Sequence, residues 1–580
     1  MRPLLFIGIV AAISIVGAQS PQPPRDTPAQ PPAAPTGKIS GTVVTADTGK
    51  PVKRARVFVS ATELPGGRAT LTDDGGRFEL SDLPAGRYSV TASKSGFITL
   101  SWGQRRPLQA GTPLQLGDGQ QMKGVDFRLP RGGAIAGRIS DEDGEPIPGA
   151  TVRVMRYQYQ QGDRRLVQAG GGQTDDKGQY RVWGLMPADY YVTATARGFG
   201  GAPAFGGGRF GGPGGPGPGG GRFGGGFGAA FSSEEESVAY APTYYPGVPS
   251  VTDATRVTLG ISQEMLDVSF MLQLVRTARI TGKVTNADGT AATNGTVTLT
   301  ADGSGGAGGG RGQIGINYGG RIQWDGAFTI GNVPPGRYVL RARGGDDDRP
   351  QYSEQPLTVS SGDVSGVVVS LSRGASISGT VQFQSTQLAA PDPTAIRITA
   401  PPADQGQFAA NAGRVEKDGQ FTFDGVPAGS RFIRATGAPR GWSLKSVIVA
   451  GRDVIDTPIE VRAGETIRNV SLVFSDSQTQ LSGTVATERG VPVTDYTVLA
   501  FPMDQTFWRP QSRYIMTARP DQNGSYQIRG LPPGEYYMAL VDPAEQGEWF
   551  EPAFLDAHRP GAARISLGEG ESKNQDFKLK

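Results

Sequence analysis

A five-fold internal repeat constrains the fold of this chain more than any other feature of its sequence. Each copy opens with apolar residues on either side of a glycine, as in Ile39-Ser40-Gly41-Thr42-Val43, and the later copies do so around Gly137, Gly282, Gly379 and Gly483. Apolar residues at a period of two indicate a half-buried strand, and a glycine inside a strand indicates a bulge or a close approach by another backbone. The opening glycines lie 96, 145, 97 and 104 residues apart, so the second copy contains an insertion.

The middle of each copy combines a tight hairpin turn with a proline-glycine turn. In the first copy Gly76-Arg77-Phe78 leads to Leu83-Pro84-Ala85-Gly86-Arg87-Tyr88. A glycine near Asp or Asn supplies the positive φ of the hairpin, and the Pro and Gly that follow favour a type II-like turn between two strands. The segment returns in the other copies, where its aromatic residues are Tyr180 and Tyr190, Phe328 and Tyr338, Phe421 and Phe432, and Tyr526 and Tyr536.

A final alternating strand, such as Val125-Asp126-Phe127-Arg128-Leu129, closes each copy. Many short strands with turns every ~8–12 residues, and almost no helical periodicity, are typical of β-sandwiches. About 100 residues are enough for one copy to bury its own core. The sequence therefore predicts an all-β chain of five tandem β-sandwich domains of the seven-stranded type, joined as a rod or a bent chain of beads: unit one at 38–132, unit two at 133–276, unit three at 277–374, unit four at 375–476 and unit five at 477–580.

Glycine-rich insertions lengthen two of the units. In unit two, 18 of the 31 residues from Gly198 to Gly228 are glycine, and in unit three a smaller glycine-rich stretch runs from Gly303 to Gly320. Segments with so few apolar side chains cannot bury enough surface to offset the entropy lost on ordering. Both stretches are therefore expected to be disordered loops.

The N-terminus has the pattern of a secretory signal peptide. The basic residue Arg2 precedes an apolar run from Leu4 to Val16, and small residues follow, so cleavage is expected between Ala18 and Gln19. The alternative is a transmembrane anchor, but this run of 13 residues is shorter than the ~20 that span a bilayer. Residues 1–18 are thus predicted to be removed, and the proline-rich residues 19–37 to form an extended linker. The mature chain is expected to be exported to the periplasm, the cell surface or the medium without spanning the membrane.

Composition excludes several classes of function. The chain has no cysteine and one histidine, His558, which excludes thiol catalysis, disulfides and zinc sites built from Cys and His. The net charge of +3 arises from 57 basic and 54 acidic residues, a balance that gives no reason to expect a nucleic-acid partner. We therefore predict no catalytic residues, no cofactor and no metal site, and we expect His558 to be exposed to solvent.

The repeated segments resemble a known family. The strand with its opening glycine, the hairpin before Phe78 and the turn Leu531-Pro532-Pro533-Gly534-Glu535-Tyr536 are similar to the carboxypeptidase regulatory-like domain, and the resemblance covers nearly all of 38–580. It implies a prealbumin-like (transthyretin-like) sandwich, which is also classed with carbohydrate-binding-like folds. The multi-copy exported form, with its segment Tyr244-Tyr245-Pro246-Gly247, resembles proteins common in soil bacteria of the acidobacterial kind. The catalytic part of the zinc carboxypeptidases requires more than one histidine, so the resemblance does not imply their activity.

Tryptophans that do not recur among the units are the candidate ligand-stacking residues, since sugar rings stack on exposed aromatic faces. Trp183 alternates out of phase with the apolar Tyr180 and Val182, so its side chain is expected to face outward. Its role is either a stacking platform or packing against a neighbouring domain or the glycine-rich loop. Trp102 and Trp508, which lie in predicted loops, are weaker candidates for the same role. The aromatic residues that recur are expected in the cores, as is Trp442: they are Phe78, Tyr88, Tyr180, Tyr338, Phe421 and Tyr526.

Adjacent carboxylates allow two interpretations. The pairs Asp73-Asp74 and Asp175-Asp176 lie at hairpin turns, where Asp accepts local backbone hydrogen bonds, and Asp346-Asp347-Asp348 lies in a loop. The other interpretation is a metal or acid-base site, but none of the three has the spacing of a calcium loop with its closing Glu. We therefore interpret them as structural residues.

Together these features favour a non-catalytic exported array that binds or scaffolds other molecules at the cell envelope, with polysaccharide as the leading ligand class. That ligand class follows from the family resemblance and from a few aromatic residues. The alternative is a purely structural spacer or adhesion stalk that contacts envelope proteins through its domain faces.

Overall fold

The fold is almost entirely β. The computed structural model describes residues 36–104, 109–160, 162–196, 238–301, 318–346, 349–403, 408, 410–542 and 545–579. These residues contain 46 strands, three 3-10 turns and one α-helix, so the predicted all-β class is confirmed. The predicted signal peptide with its cut between Ala18 and Gln19, nearly all of the linker 19–37, the insertion 198–228 and residues 303–317 of the smaller glycine-rich stretch lie outside the described residues. The last residues of that stretch, from Tyr318 to Gly320, belong to a strand, so the predicted end of this loop is wrong.

Unit one consists of two sheets that enclose a hydrophobic cluster. Its strands are β1 (Gly37–Thr45), β2 (Arg56–Ala61), β3 (Leu64–Leu71), β4 (Arg77–Leu83), β5 (Gly86–Ser93), β6 (Leu100–Ser101), β7 (Leu114–Leu116), β8 (Gln121–Met122) and β9 (Phe127–Leu129). The opening strand β1 pairs antiparallel with β4 and parallel with β8 and β9. The second sheet has the order β3-β2-β5-β6, with β7 also paired to β5. Ile39, Val57, Phe78 and Tyr88 meet in the core between the sheets.

Unit two repeats this arrangement with a longer hairpin. Its strands are β10 (Gly133–Ser140), β11 (Thr151–Gln160), β12 (Asp163–Gln173), β13 (Gln179–Leu185), β14 (Ala188–Thr195), β15 (Val238–Tyr240), β16 (Thr243–Tyr244), β17 (Val257–Leu259), β18 (Glu264–Met265), β19 (Phe270–Met271) and β20 (Leu274–Arg276). The opening strand β10 pairs antiparallel with β13 and parallel with β18 and β19. The second sheet, β12-β11-β14-β16 with β17, contributes the other half of the core.

Unit three has a three-stranded sheet and a five-stranded sheet. Its strands are β21 (Ala278–Thr285), β22 (Thr296–Ala301), β23 (Tyr318–Arg321), β24 (Ala327–Val333), β25 (Gly336–Asp346), β26 (Arg349–Val359), β27 (Val364–Ser370) and β28 (Ser372–Arg373). The sheets have the orders β24-β21-β27 and β23-β22-β25-β26-β28. Alternating apolar residues of both sheets, among them Ile280, Leu299 and Leu340, are fully buried between them.

Unit four departs from the others because most of its strands join in a single eight-stranded sheet. Its strands are β29 (Ala375–Gln384), β30 (Arg397–Thr399), β31 (Gly413–Val415), β32 (Gln420–Val426), β33 (Gly429–Arg431), β34 (Arg434–Thr436), β35 (Ser443–Val449), β36 (Arg452–Asp453), β37 (Ile459–Val461) and β38 (Thr466–Ser475), with a 3-10 turn at Pro393–Ala395. The sheet order is β34-β30-β31-β32-β29-β38-β35-β36, and β33 pairs with β37. Trp442 is buried in its core, as predicted.

Unit five carries an additional layer outside its sandwich. Its elements are β39 (Gln480–Thr487), β40 (Thr497–Pro502), β41 (Met516–Ala518), β42 (Ser525–Arg529), β43 (Gly534–Val541), α1 (Pro552–His558), β44 (Ala563–Leu567), β45 (Ser572–Asn574) and β46 (Phe577–Leu579), with 3-10 turns at Gln505–Phe507 and Glu548–Phe550. Val498 faces the core between the sheets, whereas Leu499 and Phe501 face a second cluster that includes Leu555 of α1. Both faces of β40 are therefore buried. No helix in the described ranges is long and apolar enough to cross a membrane.

The opening glycines are required by the approach of the closing strand. A Cβ atom on Gly41 would overlap the backbone carbonyl oxygen of Val125. The corresponding carbonyl for each later glycine belongs to Val268, Val367, Val470 or Gln575. The close backbone approach predicted from the sequence is thus confirmed in all five repeats, and it explains why no side chain is present at this position.

The proline-glycine turn is fixed by a buried tyrosine in four of the repeats. Each tyrosine hydroxyl donates a hydrogen bond of 2.6–2.8 Å to the carbonyl oxygen four residues earlier: Tyr88 to Pro84, Tyr190 to Met186, Tyr338 to Pro334 and Tyr536 to Pro532. The sequence predicts Phe432 at this place in unit four, and that prediction is wrong. Arg431 occupies the buried position, whereas Phe432 is partly exposed and has the guanidinium of Arg434 4.4 Å from its ring centre.

The units do not form an extended rod, because unit five contacts three others. The side-chain amide of Gln522 pairs with the backbone of Gln115 in unit one: the Gln115 N–H donates to Oε1 at 2.8 Å, and Nε2 donates to the Gln115 carbonyl at 2.9 Å. At the junction with unit four, Arg513 donates two hydrogen bonds of 2.8 Å to Asp456. Gly162, at the tip of the β11–β12 hairpin of unit two, lies against Phe550. The chain therefore doubles back on itself.

Candidate functional site

Trp183 faces outward from unit two, as its phase in the sequence predicts. In β13, Tyr180 and Val182 face the core, and Leu185 returns to the core after an irregularity at Gly184, whose φ is +79°. This left-handed residue breaks the alternation, so Trp183 and Gly184 are both exposed before the strand turns inward again. The indole of Trp183 is 59% exposed, which makes its face accessible to a ligand.

The sheet places charged groups beside this indole. Trp183 lies opposite Ala134 of β10, and Ala134 lies opposite Glu264 of β18, so the three form one row across the sheet. At the usual spacing of neighbouring strands, Trp183 and Glu264 stand roughly 10 Å apart. Arg181, two residues before Trp183 on the same face, donates hydrogen bonds of 2.7 and 3.1 Å to Glu264.

This ion pair stabilises the charged form of both partners. The hydrogen bond and the opposite charge of Arg181 lower the pKa of Glu264, and the same contacts raise the pKa of Arg181. Since both side chains are about half exposed, the pair stabilises the fold little. The pair instead holds a carboxylate and a guanidinium near an exposed aromatic face. There the carboxylate can accept hydrogen bonds from hydroxyl groups, and the guanidinium can donate hydrogen bonds to them.

The other two candidate tryptophans are less accessible. Trp102 is partly buried against the core of unit one, and its backbone N–H donates to the carbonyl of Val90 at 2.8 Å. Trp508 follows a 3-10 turn, so its predicted loop position is right, but an exposed role for it is wrong. It is 7% exposed, its Nε1 donates to the carbonyl of Pro502 at 2.8 Å, and its ring packs on Phe501. The additional layer of unit five covers it.

Trp324 is an exposed tryptophan that the sequence analysis missed. It is 82% exposed in the hairpin turn Gln323-Trp324-Asp325-Gly326 of unit three. Gly326 has φ +81° and its N–H donates to the Gln323 carbonyl at 3.0 Å, which closes the turn. The signal was present in the sequence, because the same turn position holds Asp74, Asp176, Lys417 or Gln522 in the other units. The other units have charged or polar residues at this position, so core packing does not explain an apolar residue there.

The carboxylate pairs serve as turn residues. Asp73 accepts a hydrogen bond from the backbone N–H of Arg77 at 2.8 Å, and Asp175 accepts from Lys177 and Gln179 at 2.9 and 2.8 Å. In the part of the chain that the structure describes, no group of three or more His, Asp or Glu side chains is placed to hold a metal ion. The prediction that His558 is exposed is wrong, because His558 ends α1 partly buried, with Nδ1 2.7 Å from the carbonyl of Phe554.

Comparison with protein families gives an assignment for the first units. Residues 38–130 and 134–204 match the family model of the carboxypeptidase regulatory-like domain. The two matches to this family model lie in tandem. The matched ranges cover unit one and the part of unit two that includes Trp183. The likeness to acidobacterial proteins and the limits of the five units stay predictions.

Other similarities are partial or distant. A hydroxyquinol 1,2-dioxygenase of Corynebacterium glutamicum is 36% identical over 64 residues, which are 10% of this chain and 21% of that enzyme. The chain thus spans about a fifth of the length of this curated relative. Two solved structures similar to parts of the chain are the Bacillus anthracis TIE protein (10% identity, 77% of this chain and 73% of that one, TM-score 0.14) and a streptococcal ancillary pilin (8%, 53% and 100%, TM-score 0.18). A third is a putative carbohydrate-binding protein of Pseudomonas aeruginosa (16%, 17% and 89%, TM-score 0.12). At these TM-scores the likenesses support no inference about function.

Proposed function

We propose that this protein is a non-catalytic, exported binding scaffold of the cell envelope, whose tandem carboxypeptidase regulatory-like domains hold a saccharide-binding platform at Trp183. The observation that carries the proposal is the exposed indole of Trp183 on a rigid sheet face. An aromatic side chain offers a large flat apolar surface on which a sugar ring can stack. The platform takes an apolar ring face, while Arg181 and Glu264 contact its hydroxyl groups.

The sheet supplies the rigidity that such a platform needs. Trp183 lies directly opposite Ala134, a small residue that is only 1% exposed, in the register fixed by the β10–β13 ladder. A site on a paired strand keeps its geometry better than one on a loop. Binding therefore costs little ordering entropy at the protein side of the contact. We expect the single site to bind one sugar unit weakly. We expect a higher apparent affinity for a polysaccharide, because it presents the same sugar unit many times.

A pull-down on insoluble polysaccharides and a glycan array tests this proposal. The chain without residues 1–18 is compared with its Trp183→Ala and Trp324→Ala variants. We expect saturable binding to one glycan class, a loss of binding in Trp183→Ala, and unchanged binding in Trp324→Ala, whose tryptophan is even more exposed but lies on a turn. Absence of binding across the panel, or equal loss in both variants, contradicts the platform at Trp183.

A second candidate function is a structural spacer that contacts envelope proteins, and the junction of units four and five favours it. Asp456 there accepts two hydrogen bonds from Arg513 and one of 3.2 Å from the hydroxyl of Tyr514. Such contacts fix the angle between neighbouring units, as a stiff spacer requires. Crosslinking in intact cells that captures one envelope protein, combined with no glycan affinity of the purified chain, supports the spacer and excludes the first proposal.

A further inference from the structure

A buried arginine replaces the turn tyrosine of the other units in unit four. Arg431 has no exposed surface, although it carries a charge. Its Nη1 donates to the carbonyl of Phe408 at 2.6 Å and more weakly to that of Ala400 at 3.4 Å, and Nη2 lies 3.5 Å from the Ala428 carbonyl. Within the described residues its Nε has no hydrogen-bond partner. A buried cation without a carboxylate partner is costly for a fold, and burial lowers the pKa of Arg431.

Arg431 forms part of the wall of a cleft between units three and four. The cleft has a volume of about 340 Å³ and is lined on the unit three side by residues that include Tyr352, Glu354 and Arg373. Tyr352 joins the two walls: its hydroxyl donates to the carbonyl of Gly425 at 3.2 Å, and its ring centre lies 4.9 Å from that of Phe408. The cleft therefore forms only where units three and four meet.

The charges around this cleft do not balance. Glu354 is the carboxylate among the lining residues, and it already accepts two hydrogen bonds of 3.2 Å from Arg341. Glu354 also acts on Arg431 by its charge, and Arg373 acts on Asp288, but no described carboxylate forms a direct ion pair with Arg431 or Arg373. Guanidinium groups bind carboxylates through paired, charge-assisted hydrogen bonds, which are stronger than those to neutral carbonyls. The cleft therefore favours an anionic ligand.

The remaining lining groups narrow the chemistry of that ligand. The hydroxyls of Ser353 and Ser372 can pair with hydroxyl groups, and the Phe408 ring offers an apolar face. The volume is at the small end of the ~300–1,000 Å³ typical of ligand sites, which suits one sugar-sized ring better than a peptide segment. We propose that the cleft binds a single carboxylate-bearing sugar, a uronate, whose carboxylate pairs with Arg431 and Arg373.

Binding requires a small adjustment of the cleft wall. Because Arg431 has no exposed surface, the carboxylate reaches its Nε and Nη1 atoms only when a neighbouring side chain rotates, a change that is common on binding. The incoming carboxylate then replaces the carbonyl of Phe408 at Nη1. This site is separate from Trp183, so it does not rest on the platform proposed above.

Substitution by the residue that the other units use provides the test. Arg431→Tyr removes the cation and restores the hydroxyl that bonds four residues back, to Pro427, so the variant is expected to fold. Calorimetric titration of the full chain with glucuronate should show saturable binding, at least tenfold weaker in Arg431→Tyr and weakened to a lesser degree in Arg373→Gln. Glucose, which lacks the carboxylate, should show no binding that Arg431→Tyr removes, and Trp324→Ala should leave the glucuronate affinity unchanged.

Three results would overturn the proposal. The first is that glucuronate does not bind the native chain. Arg431 would then be only a structural replacement for the turn tyrosine of the other units. The second is that it binds with equal affinity to Arg373→Gln, an exposed-site variant that keeps the fold even if Arg431→Tyr does not. The third is that acetylated aspartate or glutamate binds while glucuronate does not, which assigns the cleft to peptide carboxylates instead.

Discussion

Replacing the opening glycine of unit three by alanine probes the contact on which the repeated fold depends. In Gly282→Ala the new Cβ would overlap the carbonyl oxygen of Val367 and lie 2.7 Å from the ring of Phe328. The carbonyl belongs to the parallel strand β27, and Phe328 is 1% exposed in the core. Neither can move without disturbing the sandwich.

The magnitude follows from these two neighbours. Overpacking a core by one methyl group costs typically ~1–3 kcal/mol, and displacing β27 weakens at least one ladder hydrogen bond worth about 1 kcal/mol. We therefore expect unit three to lose about 2–4 kcal/mol of stability. The matched control is Gly331→Ala in β24 of the same unit, where a Cβ meets nothing within 4 Å. There alanine should be neutral or stabilise by up to ~1 kcal/mol, since it restricts the unfolded chain.

Hydrogen exchange followed by mass spectrometry reads unit three separately from its neighbours. A loss of this size should speed the slowest amides of β21 and β27 by roughly 30- to 700-fold, at tenfold per ~1.4 kcal/mol. Gly331→Ala should leave those amides as slow as in the native chain. If Gly282→Ala exchanges no faster than Gly331→Ala, the closing strand does not press on the glycine and our account of the repeat is wrong.

Three further predictions concern unit five and its contacts. Trp508→Ala should destabilise unit five by about 3–5 kcal/mol, because it empties a buried site and leaves the carbonyl of Pro502 unpaired. Chemical denaturation measures this loss, and a shift no larger than that of Trp183→Ala would refute the prediction. Arg513→Ala should loosen the junction of units four and five without unfolding either unit. Limited proteolysis should then cleave faster between residues 476 and 479, and an unchanged cleavage rate contradicts a fixed junction. In a chain without native cysteine, cysteines at Gln115 and Gln522 should be joined within one molecule by a short bismaleimide, whereas an extended rod would give only crosslinks between molecules.

Much of the fold could be predicted from the sequence because backbone geometry limits it locally. The opening glycines and the tyrosines of the proline-glycine turns are set by contacts inside one repeat, so the same residues recur wherever the contact does. The phase of Trp183 against Tyr180 and Val182 likewise predicts its exposure. These inferences need no knowledge of how the units are arranged.

What the sequence analysis missed depends on contacts outside a single sandwich. Trp508 is buried because 3-10 turns and α1 cover the outer face of the second sheet of unit five. A signal for this was available: Val498-Leu499-Ala500-Phe501 is apolar without alternation, which is typical of a strand buried on both faces. The burial of Arg431 cannot be predicted from the motif, because Phe432, one residue later, offers the aromatic match to the tyrosine of the other units. The return of unit five to unit one depends on surface side chains such as Gln522, which no periodicity marks.

The affinity of an identified oligosaccharide for the native chain, Trp183→Phe and Trp183→Ala tests the proposed platform most directly. Calorimetric titration of all three keeps the comparison at equilibrium, and a matched thermal transition shows that the fold is intact. The account predicts that Trp183→Phe keeps most of the affinity, since a flat aromatic face remains, and that Trp183→Ala loses at least tenfold. Equal affinity of Trp183→Ala and the native chain would contradict the claim that this indole receives the sugar.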